Sequence, residues 1–285
     1  MRHVSPRILG VDFSGADDAG RKIWIAEGRR APDGAFLLTD LRPACELEGG
    51  GRAPGPAIAA LARHIMREPE TIAGCDFPFS LPRLLITEPR WEDFVRGFPA
   101  RFPDPDTFRA WAYRAAGNKE IRRRADSTAK TPFNSYNLRI YRQTWWGIAT
   151  LLHPLLVSGD AIIRPYQRMP RKQRPIVIEA CPACTLKSIG FYPAYKGRLS
   201  SHRDARRTIV ERLVQSGWLA SPSRTLMRLL LDNAGGDALD SLIAAITTAH
   251  ADVSTNARQD ERFEGRIYGT LSHASVTSSA QSAIS

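Results

Sequence analysis

Only four of the 285 residues are cysteine, and one pair alone, Cys181 and Cys184, stands at C-x-x-C spacing. So few thiols exclude a scaffold built on disulfides, and a zinc site at that pair would need two further soft ligands that the neighbouring sequence does not offer. Long apolar runs are missing as well. Nothing approaches the roughly 18 residues that span a membrane, and the Met-Arg-His-Val start lacks the apolar stretch of a secretory signal. No membrane partner is expected, and a cytoplasmic location is. Acids are in deficit, 29 against 40 Lys and Arg, leaving a net charge of +11. That balance favours a polyanionic partner such as nucleic acid over an acidic protein. What the chain does have is 43% hydrophobic residues, enough to bury a real core.

Along the chain, residues 7–11, 22–26 and 35–40 read as short strands separated by the turn-forming runs Asp17-Asp18-Ala19-Gly20 and Ala31-Pro32-Asp33-Gly34. Turns this short predict an antiparallel meander. An apolar helix over 57–66 then leads into a buried strand over 71–76, and the crossover makes that strand parallel to the first. Residues 81–174, rich in Pro, Arg and aromatics, read as a long basic insertion holding a helix over 137–157. Regular structure resumes with a strand over 175–179 and helices over 202–215 and 237–251. In the last helix Leu239, Leu242, Ile243 and Ile246 share one face. A single α/β domain over 1–271 is expected, with 272–285, rich in Ser and Ala, as a disordered tail.

Three of these strands end in an acid: Gly-Val-Asp12-Phe-Ser-Gly, Gly-Cys-Asp76-Phe-Pro-Phe and Val-Ile-Glu179-Ala-Cys-Pro. Parallel strands present their carboxyl ends along one edge, where open α/β sheets place ligands, so Asp12, Asp76 and Glu179 are expected to converge. Asp237 and Asp240 are three residues apart in the first turn of the final helix and so share a face. Carboxylates gathered at one edge repel unless protonated or bridged by a cation, and an all-oxygen ligand set points to Mg2+ or Mn2+. Each acid has a plainer alternative. Asp12 or Asp76 alone would serve to cap a turn, and Asp237 would serve as a helix N-cap.

The blocks Gly-Val-Asp12-Phe-Ser-Gly, Asp76-Phe-Pro-Phe-Ser-Leu-Pro, Glu179-Ala-Cys-Pro-Ala, Tyr195-Lys-Gly, Asp237-Ala-Leu-Asp-Ser-Leu-Ile-Ala-Ala and Glu264-Gly-Arg-Ile-Tyr-Gly recur in order over almost the whole length. On these the chain resembles the predicted nucleases of domain-of-unknown-function family 429. The resemblance implies an RNase H-like fold with a mixed five-stranded sheet of order 3-2-1-4-5. It further implies metal-dependent hydrolysis of phosphodiester bonds, with metal ligands at Asp12, at Asp76 or Glu179, and at the Asp237/Asp240 pair. Cys181 and Cys184 fall inside one matched block, which makes them packing residues in this reading.

The insertion interleaves Lys119, Arg122, Arg123, Arg124, Lys130, Arg139 and Arg142 with Phe133, Tyr136, Tyr141, Trp145 and Trp146. Cations for phosphates beside aromatics for bases suit single-stranded or distorted nucleic acid, so Arg122, Arg123, Arg124, Lys130, Arg139 and Arg142 are candidate substrate contacts. A second basic run comprises Arg164, Arg168, Arg171, Lys172 and Arg174. Lys196, in Tyr-Lys-Gly, is a candidate catalytic cation, and His202 is the least poor general base among the histidines. Two competing readings remain open. One is an ATP-binding phosphotransferase of the actin and sugar-kinase branch, using the Asp12-Phe-Ser-Gly turn. The other is a nucleic-acid-binding module without turnover.

Overall fold

The computed structural model describes residues 5–271, so the expectation for 272–285 lies outside the described residues. Seven strands form one mixed sheet: β1 (Arg7–Asp12), β2 (Trp24–Arg30), β3 (Phe36–Pro43), β4 (Thr71–Asp76), β5 (Ile162–Ile163), β6 (Ile176–Ala180) and β7 (Ile267–Tyr268). The order is β3-β2-β1-β4-β6-β5, with β7 also paired to β6. The first three strands are an antiparallel meander, whereas β1, β4, β6, β5 and β7 pair in parallel.

The sheet thus has two strands more than the five expected from sequence. Both extra strands extend β6. Ile162–Ile163 runs beside its start, and Ile267–Tyr268 runs beside its end, where Glu179 pairs with Ile267. Two residues are too few to leave a period-2 pattern in the sequence.

Alternation along the strands divides the interior in two. In β1, Leu9 and Val11 join a core on one face, while Ile8 joins a second core on the other. The second face is covered by the helix Asp237–Ala249, which lies close against β1 and β4. A Cβ at Gly10 would overlap the backbone of Ser241 and Ala245, and one at Gly74 would overlap Thr248, so these two glycines set that approach.

The first face is covered by the helix Pro54–Met66 and by the region between β4 and β6. That region contains the helices Trp91–Arg101, Pro105–Ala115 and Arg124–Ala129, then a helical stretch from Tyr141 to Ser158 whose middle, Gly147–Leu152, is a π-helix. Its Trp91, Phe94, Phe98, Phe102, Phe108 and Trp145 are buried in the same core as Leu9 and Val11. The segment that reads as an insertion therefore supplies much of one core. Trp145, considered for base stacking, is buried and donates its indole N–H to the Phe102 carbonyl at 2.9 Å.

One further expectation is extended and another changes. Cys181 and Cys184 are buried, as packing residues are, and are in addition joined in a disulfide. The bond spans the first turn of the helix Pro182–Ser188, and C-x-x-C spacing at a helix start brings the two sulfurs together. Arg164, read as part of a basic surface run, is buried and donates to the carbonyls of Gln167, Val253 and Thr255. Arg171, Lys172 and Arg174 line a cavity with Pro6 and Glu70 at the starts of β1 and β4, the far end of the sheet from the strand-end acids. Among the described residues no helix is long and apolar enough to cross a membrane.

Candidate functional site

At the carboxyl ends of the parallel strands lies a cleft of about 260 Å3, lined among others by Asp12, Asp76, Asp126, Glu179 and Asp240, with Arg123 and Lys196 as its cations. Five carboxylates thus face two cations in a protein that is basic overall.

Asp12 and Asp76 are register partners at the last positions of β1 and β4. Partners in a parallel pair point to the same face, here the face of the Asp237–Ala249 helix. Neither carboxylate has a hydrogen-bond or ion-pair partner among the described residues, and both side chains are half-buried. Burial pushes Asp12 well above the usual carboxylate range, and the negative charges of Asp240, Asp237 and Asp76 push it further. Asp76 rises to about 8 through burial and the charge of Asp240.

Asp240 is buried in the first turn of its helix. Its Oδ1 accepts from the Tyr195 hydroxyl at 2.6 Å, and its Oδ2 pairs with Lys196 Nζ at 2.6 Å. Burial opposes the charge on Lys196, but Asp240 and Asp12 hold its pKa above the ordinary value. The ammonium is therefore fixed as a cation at the cleft mouth. Asp237 begins the helix, after Gly236 at a φ of 82°. It is not among the residues that line the cleft, and its negative charge raises the pKa of Asp12.

Glu179 departs from its expected place. In the β4–β6 register it is Cys75, not Asp76, that lies opposite Glu179, so the glutamate projects from the other face of the sheet. There its oxygens take the Arg123 guanidinium at 2.5 and 2.8 Å and the Phe79 amide at 3.0 Å. Arg123 also binds Asp126, at 2.7 Å from Nη2. Burial alone would favour neutral arginine, but the carboxylates of Asp126 and Glu179 hold it charged. Assigning Glu179 as a direct metal ligand is therefore corrected. It is the buried counter-ion of Arg123. The assignment of Arg123 as a surface phosphate contact is corrected with it, because its side chain is 1% exposed. Asp126, the third member, stands only three residues after Arg123, a spacing legible in the sequence, whereas Glu179 reaches the same guanidinium through the fold.

The remaining basic candidates are exposed. Arg122 donates to the carbonyls of Thr131 and Pro132, two residues of the cleft wall, and Arg139 lies over the Phe133 ring. Arg124 and Lys130 line a neighbouring cavity, with Arg124 paired to Asp260. Arg142 pairs with Asp17 at 3.2 Å. His202 does not line the cleft and lies against Gly197 instead, so it is not placed as a base.

Asp12, Asp76 and Asp240 bring to one end of the sheet carboxylate oxygens, the donor type that a hard divalent cation takes. Among the described residues no group of three or more His, Cys, Asp or Glu side chains is placed to hold a metal ion, and both oxygens of Asp240 are engaged, by Tyr195 and Lys196. Comparison with family models, with curated proteins and with solved structures returns no match to this chain.

Proposed function

We propose that this protein is a metal-dependent nuclease that uses Mg2+ or Mn2+ on an RNase H-like sheet. One observation carries the reading: two partnerless carboxylates, Asp12 and Asp76, stand in register at the carboxyl edge of neighbouring parallel strands, with a third, Asp240, close enough to raise the pKa of both. Raised carboxyl pKa values in a cleft mark a place where negative charge is concentrated for use. The meander followed by parallel β4 and β6 supports the RNase H-like assignment, as does the family resemblance of the sequence blocks.

Asp12, Asp76 and Asp240 would hold the ion. A bound Mg2+ or Mn2+ supplies an activated water and neutralises charge on a phosphodiester. Tyr195 fixes the orientation of Asp240 through its hydroxyl. Lys196 places a permanent positive charge beside the acids, where it offsets the repulsion between them and an incoming phosphate. Arg123 offsets one of the two negative charges of Glu179 and Asp126, which lowers the negative charge on that side of the cleft.

The test is cleavage of labelled single-stranded, duplex, hybrid and branched DNA and RNA by purified protein with Mg2+ or Mn2+. Metal-dependent cleavage that Asp12→Asn abolishes without changing the circular dichroism spectrum supports the reading. A wild-type protein that cleaves none of them with either metal would refute it.

A further inference from the structure

Two aromatic rings that line the cleft belong to neither core. Phe133 comes from the segment between β4 and β6, and Tyr192 comes from the loop after the Pro182–Ser188 helix. Both line the cleft with the acids, yet neither packs against the hydrophobic clusters of the described residues. Tyr192 is 49% exposed, and its ring meets that of Tyr195 edge-on, with centroids 6.1 Å apart. Each ring carries a cation. The Arg139 guanidinium lies 5.3 Å from the Phe133 centroid, and Lys187 Nζ lies 5.5 Å from that of Tyr192. Neither cation has a carboxylate partner among the described residues; Lys187 Nζ reaches the Lys130 carbonyl at 3.4 Å.

Large rings left out of the core and gathered at one cleft offer flat apolar faces for a ligand to stack against. Cations over ring faces steady the rings and keep positive charge at the rim. The acidic floor repels any phosphate that the ion and Lys196 do not meet, so a neighbouring phosphate of the strand is favoured at such a rim. A cleft of about 260 Å3 admits one base-sized group, whereas the bases inside a duplex are covered on both faces by their neighbours.

We propose that Phe133 and Tyr192, with Arg139 and Lys187, form a subsite for one unpaired nucleotide of a nucleic-acid strand, its base against the rings and its phosphate toward the cations. The enzyme then engages strands at overhangs, loops or gaps and not within duplexes. This inference rests on the nucleic-acid reading above, and it deepens that reading by naming the substrate form.

The test uses the full chain in EDTA, so that no cleavage intervenes, and DNA and RNA oligonucleotides carrying 2-aminopurine either in a single-stranded overhang or inside a blunt duplex. Quenching on binding is expected for the overhang and not for the duplex. Phe133→Leu and Tyr192→Leu, which keep bulk without a π-face, weaken overhang binding about 5- to 150-fold, and Tyr192→Phe restores it. Manganese binding measured by calorimetry stays unchanged in the leucine variants. Overhang binding unaffected by both leucine changes, or a blunt duplex bound as tightly as the overhang, would overturn the proposal. So would ATP alone binding more tightly than any strand. Quenching by a protein that never cleaves leaves the subsite standing and removes the nuclease reading; cleavage insensitive to both rings does the reverse.

Discussion

Asp12 and Asp76 are paired across neighbouring parallel strands at the point where both strands end, so that their carboxylates project from the same face of the sheet with no counter-charge of their own. Everything expected of the cleft follows from the repulsion built into that pair and from what relieves it.

The first consequence is a pH dependence of stability. Asp76 has an ordinary value of 3.8 and is raised to about 8 in the fold. A carboxyl whose folded pKa lies above its unfolded pKa binds its proton more tightly when folded, so its contribution to stability is full below about pH 4 and is lost as the pH rises toward 8. Asp76→Asn removes that loss. Urea denaturation is expected to show the variant more stable than wild type by about 1–3 kcal/mol at pH 8 and equal to it at pH 3, in the absence of divalent metal. A variant less stable at pH 8 would mean that the charge is already compensated.

Metal binding should follow the same protons. Ligand carboxylates must be ionised, so affinity for Mn2+ is expected to climb between pH 5 and pH 8, with protons released on binding. Calorimetry in buffers of different ionisation enthalpy counts those protons. A pH-independent affinity would place the ion on groups other than Asp12 and Asp76.

Lys196 competes for Asp240. Lys196→Met frees Asp240 Oδ2, now 2.6 Å from Nζ, and is expected to tighten Mn2+ binding severalfold while lowering turnover, since the phosphate loses a cation. Equal metal affinity and equal kcat in the variant would assign Lys196 to the surface alone.

Arg123 is expected to matter for folding. Its guanidinium is the counter-charge of two buried carboxylates, and breaking such a network by removing one partner costs about 3–5 kcal/mol. Arg123→Met should therefore lower the unfolding free energy by that amount at pH 7, and Glu179→Gln added to it should return part of the loss. If Arg123→Met is as stable as wild type but fails to bind nucleic acid, the residue is a substrate contact after all.

How much of this was legible in the sequence varies with the distance over which the determining contact acts. The strands of the meander are marked by the turn residues between them, and β4, a short buried apolar run, falls at residues 71–76 as the sequence predicts. The two-residue strands at Ile162–Ile163 and Ile267–Tyr268 exist only because β6 offers them an edge, which no local pattern encodes. Helices Trp91–Arg101 and Arg224–Asp232 went unread, the first because Gly97 and Pro99 argue against it locally while Phe94 and Phe98 are held by core contacts.

Within the site, the acids at strand ends were visible, but which face each would occupy was not. Glu179 is the penultimate residue of its strand and lies opposite Cys75, one position out of step with Asp76, and period 2 turns that single step into the opposite face. Its pairing with Arg123, 56 residues away in sequence, could not be seen from the chain, which is why a buried ion pair resembled a metal ligand and a phosphate contact. Phe133 and Tyr192 differ from the other aromatics by where they fail to pack, and that is known only once the cores are drawn.

The most direct test of the site is anomalous diffraction from crystals soaked in Mn2+ at pH 8. A manganese peak bonded to oxygens of both Asp12 and Asp76 is the expected result. No peak at these residues, with manganese found only at surface acids such as Asp17 or Glu88, would contradict the central claim.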